Sequence, residues 1–346
     1  MKRSGCGLGC LLRSILILIV LGGLAAAGVA ALVLTPYQGF KDTVYLDFPM
    51  GTSTGKMAEE LARAGVIRSK WQFLAVRGIH PGARLQAGEY AFTKPASAYN
   101  VFDRIVRGDV FYVEVTIPEG SNIFDIANIL NGTGIIKSAD FLKAAADVTI
   151  IRDLDPKATT LEGYLFPSTY RMVRSTTASQ MAHRMTDQFR KEWKAMTETL
   201  TPPPDVHDIV TLASLVEKET GVPQERPAVA SVYANRLRIG MKLDCDPTTI
   251  YAAMIEDRYR GTIHQSDLAS KNAYNTYQHP GLPPGPIANP GSASLKAAIS
   301  PLETNYLYFV AKGDGSGSHR FSADYAGHLQ NVEAYRRGQS KAGTSR

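Results

Sequence analysis

The sequence predicts an α+β protein that follows a single N-terminal transmembrane helix. Three observations lead to this prediction: an uncharged apolar run near the N-terminus, a duplicated strand–helix pattern, and a mainly helical region that ends in a hairpin pattern. With 346 residues, the chain is long enough for two or three domains, each with its own hydrophobic core.

The composition is that of an ordinary globular protein, with 44% hydrophobic and 20% charged residues. A formal net charge of +6 suits an anionic polymer or an anionic membrane surface as a partner. No basic run is interleaved with aromatic residues, so no nucleic acid partner is expected. The three cysteines provide no disulfide framework, and the fold must therefore be held together by packing.

The apolar run Ile15–Leu34 has the length of a membrane-spanning helix, which needs about 20 apolar residues. Lys2, Arg3 and Arg13 precede this run, and the positive-inside rule then puts the N-terminus in the cytoplasm. Pro36 ends the helix, because the residue before a proline disfavours the α conformation. The predicted segments are a cytoplasmic stretch over 1–14, a span over 15–35 and an extracytoplasmic remainder.

A cleaved signal peptide is the alternative, since Ala25–Ala27 offers small residues suited to a cleavage site. The apolar run continues past these residues through Val29, Leu32 and Leu34, which makes it longer than a typical cleavable core. An uncleaved anchor is therefore favoured.

The next part of the chain contains an internal duplication. Val44–Gly51 matches Val113–Gly120 at an offset of 69 residues, and the same offset persists through the helix that follows. Gly88–Phe92 resembles Glu162–Phe166 further on. Each copy is typical of a strand, a Pro-x-Gly turn, an amphipathic helix closed by glycine, and a later aromatic strand. Small units of this kind bind glycan chains in some proteins, and a scaffold without a ligand is an equally good interpretation.

Residues 205–338 are predicted to be mainly helical after a proline-rich break. Asp205 is a suitable N-cap for a helix that ends near Gly221. A second helix is expected from Pro227 to Gly240, and a third begins with Asp246 as its N-cap and Pro247 at the first helical position. The last predicted elements are a strand over 306–310, a hairpin partner over 319–321 and a disordered tail over 339–346.

The helix after Asp205 carries the most informative residues. Its apolar positions fall on one face, and Glu217 and Glu219 flank that face on either side, Glu219 slightly closer to its centre. A glutamate on the last turn of a helix, at the edge of an apolar face, loses water and meets the negative end of the helix dipole. Both effects raise the pKa of a carboxyl group and suit it to act as a general acid.

The motif by itself favours a simpler interpretation, in which both glutamates lie at the surface and pair with neighbouring cations. The candidate partners are Lys218, Arg226 and Arg238.

A loop rich in proline and glycine, His279–Gly291, is either a linker or an ordered wall of a groove. Tyr274 and Tyr277 just before it favour order, and aromatic rings beside a groove are surfaces on which sugar rings stack. Asp244–Asp246 and the scattered histidines lack the spacing of metal ligands, so neither a metal nor a cofactor is predicted.

Six motifs in this order closely resemble the endolytic murein transglycosylases of the YceG-like family. They are Ala213–Thr220, Ala234–Met241, Asp246–Thr248, Ala273–Tyr277, Gly281–Ile287 and Leu307–Val310. The resemblance runs from the anchor to about Arg337. It implies an inner-membrane enzyme with a LysM-like subdomain over 42–112 and a catalytic domain over 113–338 that has a helical core and includes the second copy of the repeat.

The resemblance also implies an activity and its residues. The family's essential glutamate falls on Glu217, and the reaction would cleave the MurNAc-β-1,4-GlcNAc bond within nascent peptidoglycan and leave a 1,6-anhydroMurNAc end. Asn275 and Tyr277 are expected to orient the sugar, with Gln224, Glu225 and Asn235 as lesser candidates for substrate binding. For Asn275 and Tyr277, a loop held by internal hydrogen bonds is an equally good interpretation.

The implied partners are peptidoglycan glycan strands and peptidoglycan synthases (penicillin-binding proteins), although no interface motif is visible. Two alternatives stay open: a non-catalytic scaffold that binds the cell wall, and hydrolysis of the same bond, as in a muramidase. The sequence departs from the family pattern mildly, with Cys245 before Asp246 and Ser168 after Pro167.

Overall fold

The computed structural model describes residues 6–343, with side chains described for residues 11–338. The chain is mixed α+β and divides into two compact units, the first up to Tyr112 and the second from Val113 onward. Each unit has its own core of buried apolar side chains.

The first unit begins with helix α1, Cys6–Leu34. Within it, Leu11–Leu34 contains an 18-residue window with a mean hydropathy of 2.7 and is long and apolar enough to cross a membrane, judged by length and composition alone. The helix therefore includes residues that the sequence analysis assigned to the segment before the span. The rest of the unit consists of β1 (Val44–Phe48), α2 (Thr54–Arg63), α3 (Lys70–Ile79), β2 (Gly88–Phe92) and α4 (Ala98–Arg107).

The second unit opens with the same order of elements as β1–α2–α3–β2. Its elements are β3 (Val113–Thr116), α5 (Ile123–Gly132), α6 (Ser138–Ala145) and β4 (Thr169–Met172), and in both units the two strands pair antiparallel. The first helix of each copy is closed by a glycine in the left-handed region, Gly65 at φ 73° and Gly134 at φ 71°. Glycine suits this position because it has no Cβ to clash there.

The aromatic strand of the second copy is not the segment that the sequence suggested. Glu162–Phe166 forms no strand, and β4 pairs with β3 instead. Tyr164 and Leu165 are fully buried, and the Leu165 amide donates to the side chain of Asn289 rather than to a strand. The segment was misassigned because its aromatic pattern reflects burial in a core, not strand alternation.

Helices dominate the remainder of the second unit. Asp205 caps α8 as predicted, since its side chain accepts a hydrogen bond from the Asp208 amide. Cys245, not Asp246, is the residue before α10. The elements are α7 (Ala178–Thr197), α8 (Val206–Glu219), α9 (Arg226–Arg238), α10 (Asp246–Ile255), α11 (Gln265–Leu268), α12 (Ser292–Ile299), β5 (Tyr308–Ala311), β6 (His319–Ser322) and α13 (Tyr325–Gly343).

The predicted C-terminal hairpin is present, with β5 and β6 antiparallel. The prediction of a disordered tail over 339–346 is wrong at 339–343, because these residues continue α13. Residues 344–346 lie outside the described residues. Helix α8 is buried along most of its length and packs against α9 and α12. Its C-terminal end therefore sits among the other helices of this unit, where the two candidate glutamates lie.

Candidate active site

A cavity of about 340 Å³ lies at the C-terminal end of α8 and includes Glu219 in its lining. The other lining residues come from α9, from the segment before and into α10, from the loop at Tyr277, and from the C-terminal hairpin and helix. They are Arg236, Leu243, Asp244, Asp246, Tyr277, Tyr308, Phe309, Tyr325 and His328. The cavity thus combines one partly buried carboxyl group with aromatic rings and two further carboxylates.

The carboxyl group of Glu219 forms hydrogen bonds with the phenol of Tyr233 and the thiol of Cys245. Tyr233 and Cys245 are themselves buried, so the carboxyl group has a dry side formed by protein and a side toward the cavity. Burial raises the pKa of Glu219, with a further increase from the negative charge of Asp246, while the two hydrogen bonds oppose the shift. Glu219 is therefore an acid that keeps its proton more readily than an ordinary glutamate.

Glu217 has different surroundings, although it lies only two residues earlier. Its side chain is 5% exposed, and both carboxylate oxygens are bound. Oε1 accepts a hydrogen bond from Arg226 at 3.0 Å and Oε2 accepts one from the Gly291 amide at 3.0 Å. Gly291 is the residue before α12. Glu217 thus joins the end of α8 to the starts of α9 and α12, and it is not among the residues that line the cavity.

The pairing of Glu217 with Arg226 matches one of the cation partners considered from the sequence. The expected surface location is wrong, because Arg226 is only 8% exposed at its side chain. Both members of this ion pair are therefore buried, with Arg226 Nη2 3.0 Å from Glu217 Oε1.

The proline- and glycine-rich loop, 279–291, is ordered and packs on α8. The Ser214 hydroxyl accepts a hydrogen bond from the Ile287 amide at 3.1 Å, and the His207 ring contacts the Pro284 carbonyl through Nε2 at 3.0 Å. A carbonyl only accepts hydrogen bonds, so Nε2 carries a proton. Nδ1 of His207 lies 2.7 Å from the buried carboxylate of Asp155. His207 therefore connects the loop carbonyl of Pro284 to the buried side chain of Asp155 and holds the loop on α8.

Asn275 and Tyr277, the residues expected to orient the sugar, have separate roles in the structure. Asn275 is fully buried, and its amide donates to three backbone carbonyls within 3.2 Å, those of Asp267, Leu268 and Ser270. Asn275 therefore stabilises its own loop, in line with the interpretation of a loop held by internal hydrogen bonds. Tyr277 lines the cavity, and its hydroxyl donates to Asp246 at 2.6 Å.

The three lesser candidates lie outside the lining of this cavity. Gln224 is exposed in the turn before α9. Glu225 accepts hydrogen bonds from the backbone amide and the ring of His319. Asn235 donates to the carbonyls of Thr304 and Tyr306, and it borders a separate cavity of about 390 Å³.

Several residues of the cavity were not identified from the sequence as site residues. Asp244 adopts φ 47°, a left-handed conformation that is uncommon for a residue with a side chain. The Arg236 guanidinium lies 5.4 Å from the centre of the Tyr308 ring. Nδ1 of His328 is buried and has no hydrogen-bond partner within the described part of the chain. Among these residues, only Asp244, Asp246 and the histidine had been considered from the sequence. They were considered as metal ligands, and the aspartates were explained as turn and cap residues instead.

Metal binding has no obvious location among the described residues. Within 11–338, no group of His, Cys, Asp and Glu side chains is arranged to hold a metal ion.

Known proteins resemble the chain over most of its length. The YceG-like family matches residues 46–334. An endolytic murein transglycosylase of Bacillus subtilis (strain 168) is 32% identical over 294 residues, covering 80% of this chain and 80% of the relative. An endolytic murein transglycosylase of Streptococcus pneumoniae serotype 2 is 27% identical over 307 residues, covering 78% of this chain and 54% of the relative.

A crystal structure of a YceG-like protein from Listeria monocytogenes has a similar fold. It aligns with a TM-score of 0.53 at 29% identity, over 84% of this chain and 99% of that one. The match to the family spans both units, and it includes the α8 glutamates and the residues around the cavity. The chain belongs to the YceG-like family.

Proposed function

We propose that this protein is a lytic transglycosylase that cleaves the MurNAc-β-1,4-GlcNAc bond within peptidoglycan strands. Membership of the YceG-like family and the names of two relatives support a peptidoglycan-cleaving role. The observation that carries the proposal is the carboxyl group of Glu219, held by buried Tyr233 and Cys245 at the edge of a cavity lined with aromatic rings. Such a group is suited to protonate a glycosidic oxygen.

The family resemblance implied Glu217 as the general acid, and the contacts of the two side chains favour Glu219 instead. Both oxygens of Glu217 are bound, one to a buried arginine and one to the Gly291 backbone amide, and Glu217 is not among the residues that line the cavity. Glu219 has a raised pKa and faces the cavity. We therefore propose Glu219 as the acid and assign Glu217 to holding the end of α8 in place.

The proposed reaction needs one carboxyl group. Protonated Glu219 donates its proton to the GlcNAc oxygen as the bond from that oxygen to C1 of MurNAc breaks. The C6 hydroxyl of the same MurNAc attacks C1, and its proton passes to the Glu219 carboxylate, which restores the acid. Most glycosidases that hydrolyse their substrates need a second carboxylate. Here the attacking group belongs to the substrate, and the product is a 1,6-anhydroMurNAc end.

The cavity wall supplies groups suited to a sugar chain. Tyr277 and Tyr308 offer ring surfaces for stacking, and Asp244 and Asp246 offer acceptors for sugar hydroxyls. These carboxylates also place negative charge near C1 of the substrate, where positive charge develops as the bond breaks.

We further propose that α1 anchors the protein in the inner membrane with its N-terminus in the cytoplasm. The apolar helix and the cations before it support this placement. Both units would then lie outside the cytoplasm, where nascent strands and their synthases are found. The first unit would serve as a LysM-like glycan-binding subdomain, for which the strand–helix–helix–strand order is the support.

The test is to incubate the full chain with purified glycan strands and to measure the molecular masses of the products by mass spectrometry. An anhydro product is lighter than a hydrolytic product by one water, so its mass distinguishes a transglycosylase from a muramidase. Glu219→Gln should abolish the product while the unfolding temperature stays close to that of the parent protein. Binding without any shortening of the strands would instead identify a cell-wall scaffold.

Glu217→Gln is the matched variant for this experiment. It should retain the anhydro product in its folded fraction. Loss of activity in Glu217→Gln at unchanged stability, together with full activity in Glu219→Gln, would return the acid to Glu217.

A further inference from the structure

The end of α1 is part of the folded first unit, with no flexible linker between them. Val33 is 6% exposed and belongs to the buried core of this unit. The Gln72 side chain, on α3, donates to the Leu32 carbonyl at 2.6 Å. Tyr37, just after α1, pairs its backbone with Ala96. The orientation of the unit therefore follows the orientation of the helix.

The length of α1 sets the depth of these contacts in a bilayer. Arg13 keeps its charge at the inner interface, because a cation is costly within hydrocarbon. From there, the run Ile15–Leu34 rises about 1.5 Å per residue and crosses a hydrocarbon core of about 30 Å. Leu32 and Val33 then reach the outer interface, and so does the part of α3 that contacts them.

An exposed tryptophan lies at this point of α3. Trp71 is 69% exposed and directly precedes Gln72, the residue bonded to Leu32. Tryptophan is enriched at membrane interfaces, where its ring reaches apolar chains and its N–H reaches water or headgroups. The lipid–water interface is therefore an environment that suits a ring of this size exposed at this point of the unit.

Two cations lie beside it. Lys70 has its ammonium 5.7 Å from the Trp71 ring and 2.7 Å from Glu59, and Arg68 stacks over the Tyr37 ring at 5.0 Å. Cations near a bilayer surface are attracted to anionic headgroups. Both belong to the part of the unit next to the end of α1, because Lys70 contacts Trp71 and Arg68 contacts Tyr37, which follows that end by three positions.

We propose that Trp71, with Arg68 and Lys70, binds the headgroup region of the outer leaflet and holds the first unit flat against the membrane. This inference rests on the proposed membrane anchoring by α1. It adds that the unit is seated on the bilayer rather than tethered above it. The partner is lipid itself, recognised by an interfacial ring and two cations.

The experiment uses the full chain in nanodiscs of phosphatidylcholine and phosphatidylglycerol that carry bromine near the headgroup end of the acyl chains. Bromine quenches nearby tryptophan fluorescence. The wild type should lose more emission than Trp71→Phe, which retains only Trp193, a residue 6% exposed in the second unit. Moving the bromine to the methyl end of the chains should weaken the difference. Equal quenching of wild type and Trp71→Phe in the first lipid would overturn the proposal.

A parallel extraction separates this proposal from the proposed anchor. Membranes that contain the chain are washed with alkaline carbonate, which removes peripheral proteins. Release of the chain would contradict the anchor itself. Retention of the chain, with Trp71 unquenched by brominated lipid and fully quenched by aqueous iodide, would leave the anchor standing and reject only the seating of the first unit.

Discussion

Glu217 and Glu219 show how two identical side chains on one helix turn acquire different chemistry. The side chain of Glu217 accepts hydrogen bonds from a guanidinium and from a backbone amide. The carboxyl group of Glu219 meets a phenol and a thiol, and loss of water raises its pKa. Neutral donors compensate less for burial than a cation does, so the pKa of Glu219 stays raised despite its two hydrogen bonds.

Stability should respond to Glu217 more than activity does. Glu217→Gln leaves Arg226, 8% exposed at its side chain, with only Glu119 at 3.7 Å as an anionic partner. Breaking one side of a buried ion pair costs about 3 kcal/mol. We expect a lower unfolding temperature by calorimetry than for Glu219→Gln. Equal unfolding temperatures of the two variants would contradict the assigned roles.

Cys245 should adjust the acidity of Glu219. A thiol is a weaker hydrogen-bond donor than a hydroxyl. Cys245→Ser should favour the ionised form of Glu219 and lower its pKa, and Cys245→Ala should remove the bond and raise it. Because the acid works only when protonated, activity falls as the pH rises through its pKa. The alkaline limb of the pH–rate profile should therefore move to lower pH in the serine variant and to higher pH in the alanine variant.

If the alkaline limb moved in the same direction in Cys245→Ser and in Cys245→Ala, that result would count against a hydrogen bond from the thiol to Glu219. A merely structural role for Cys245 predicts a change in unfolding temperature without a shift in the profile.

At the scale of elements, the loop over 279–291 and helices α5, α8 and α10 are joined by buried polar side chains. Glu162 is the centre of one such junction. It accepts hydrogen bonds from the backbone amide of Ile123 at 2.9 Å, the Tyr251 hydroxyl at 3.0 Å and the side-chain amide of Asn289 at 2.8 Å. These contacts connect α5 and α10 to the loop, which is bonded to α8 separately through Ser214 and His207.

Stability should therefore depend on pH through Glu162. Burial raises the pKa of Glu162 to about 8 in the folded protein, against about 4.3 for an unfolded chain. The folded state then binds the proton more tightly, so the contribution to stability is complete below the unfolded pKa and is lost as pH rises through the folded value. We expect the unfolding temperature to fall between pH 5 and 8.

Glu162→Gln should reduce this pH dependence, because the amide has no proton to lose in that range. Glu303→Gln, at an exposed position, is the control and should leave the dependence unchanged. A parent protein whose unfolding temperature is flat or rising over this range would show that Glu162 is ionised when folded.

At the scale of the whole molecule, the two units have separate cores, which predicts that the second can fold alone. A soluble fragment over 113–346 should unfold in one cooperative transition and release the anhydro product from glycan strands in solution. The measurement is calorimetry followed by product mass. An unfolded or inactive fragment would mean that the second unit depends on the first.

Much of the fold could be predicted from the sequence because it depends on local patterns. The Asp205 cap, the helix after it, the duplicated strand–helix order and the C-terminal hairpin are written in residues that are near one another in the chain. Aromatic spacing failed at Glu162–Phe166, because burial in a core and alternation in a strand leave similar short patterns.

The sequence by itself determined the family, the apolar helix, the duplication and the pair of glutamates as the place to look. Only the tertiary structure showed that Glu217 is bound at both oxygens and that Glu219 lines the cavity. Helical periodicity puts both at the margin of one apolar face, whereas their partners Arg226, Gly291, Tyr233 and Cys245 come from α9, α10 and α12 or the residues just before them. The charge state of a buried carboxyl group depends on those neighbours, and folding alone brings them together.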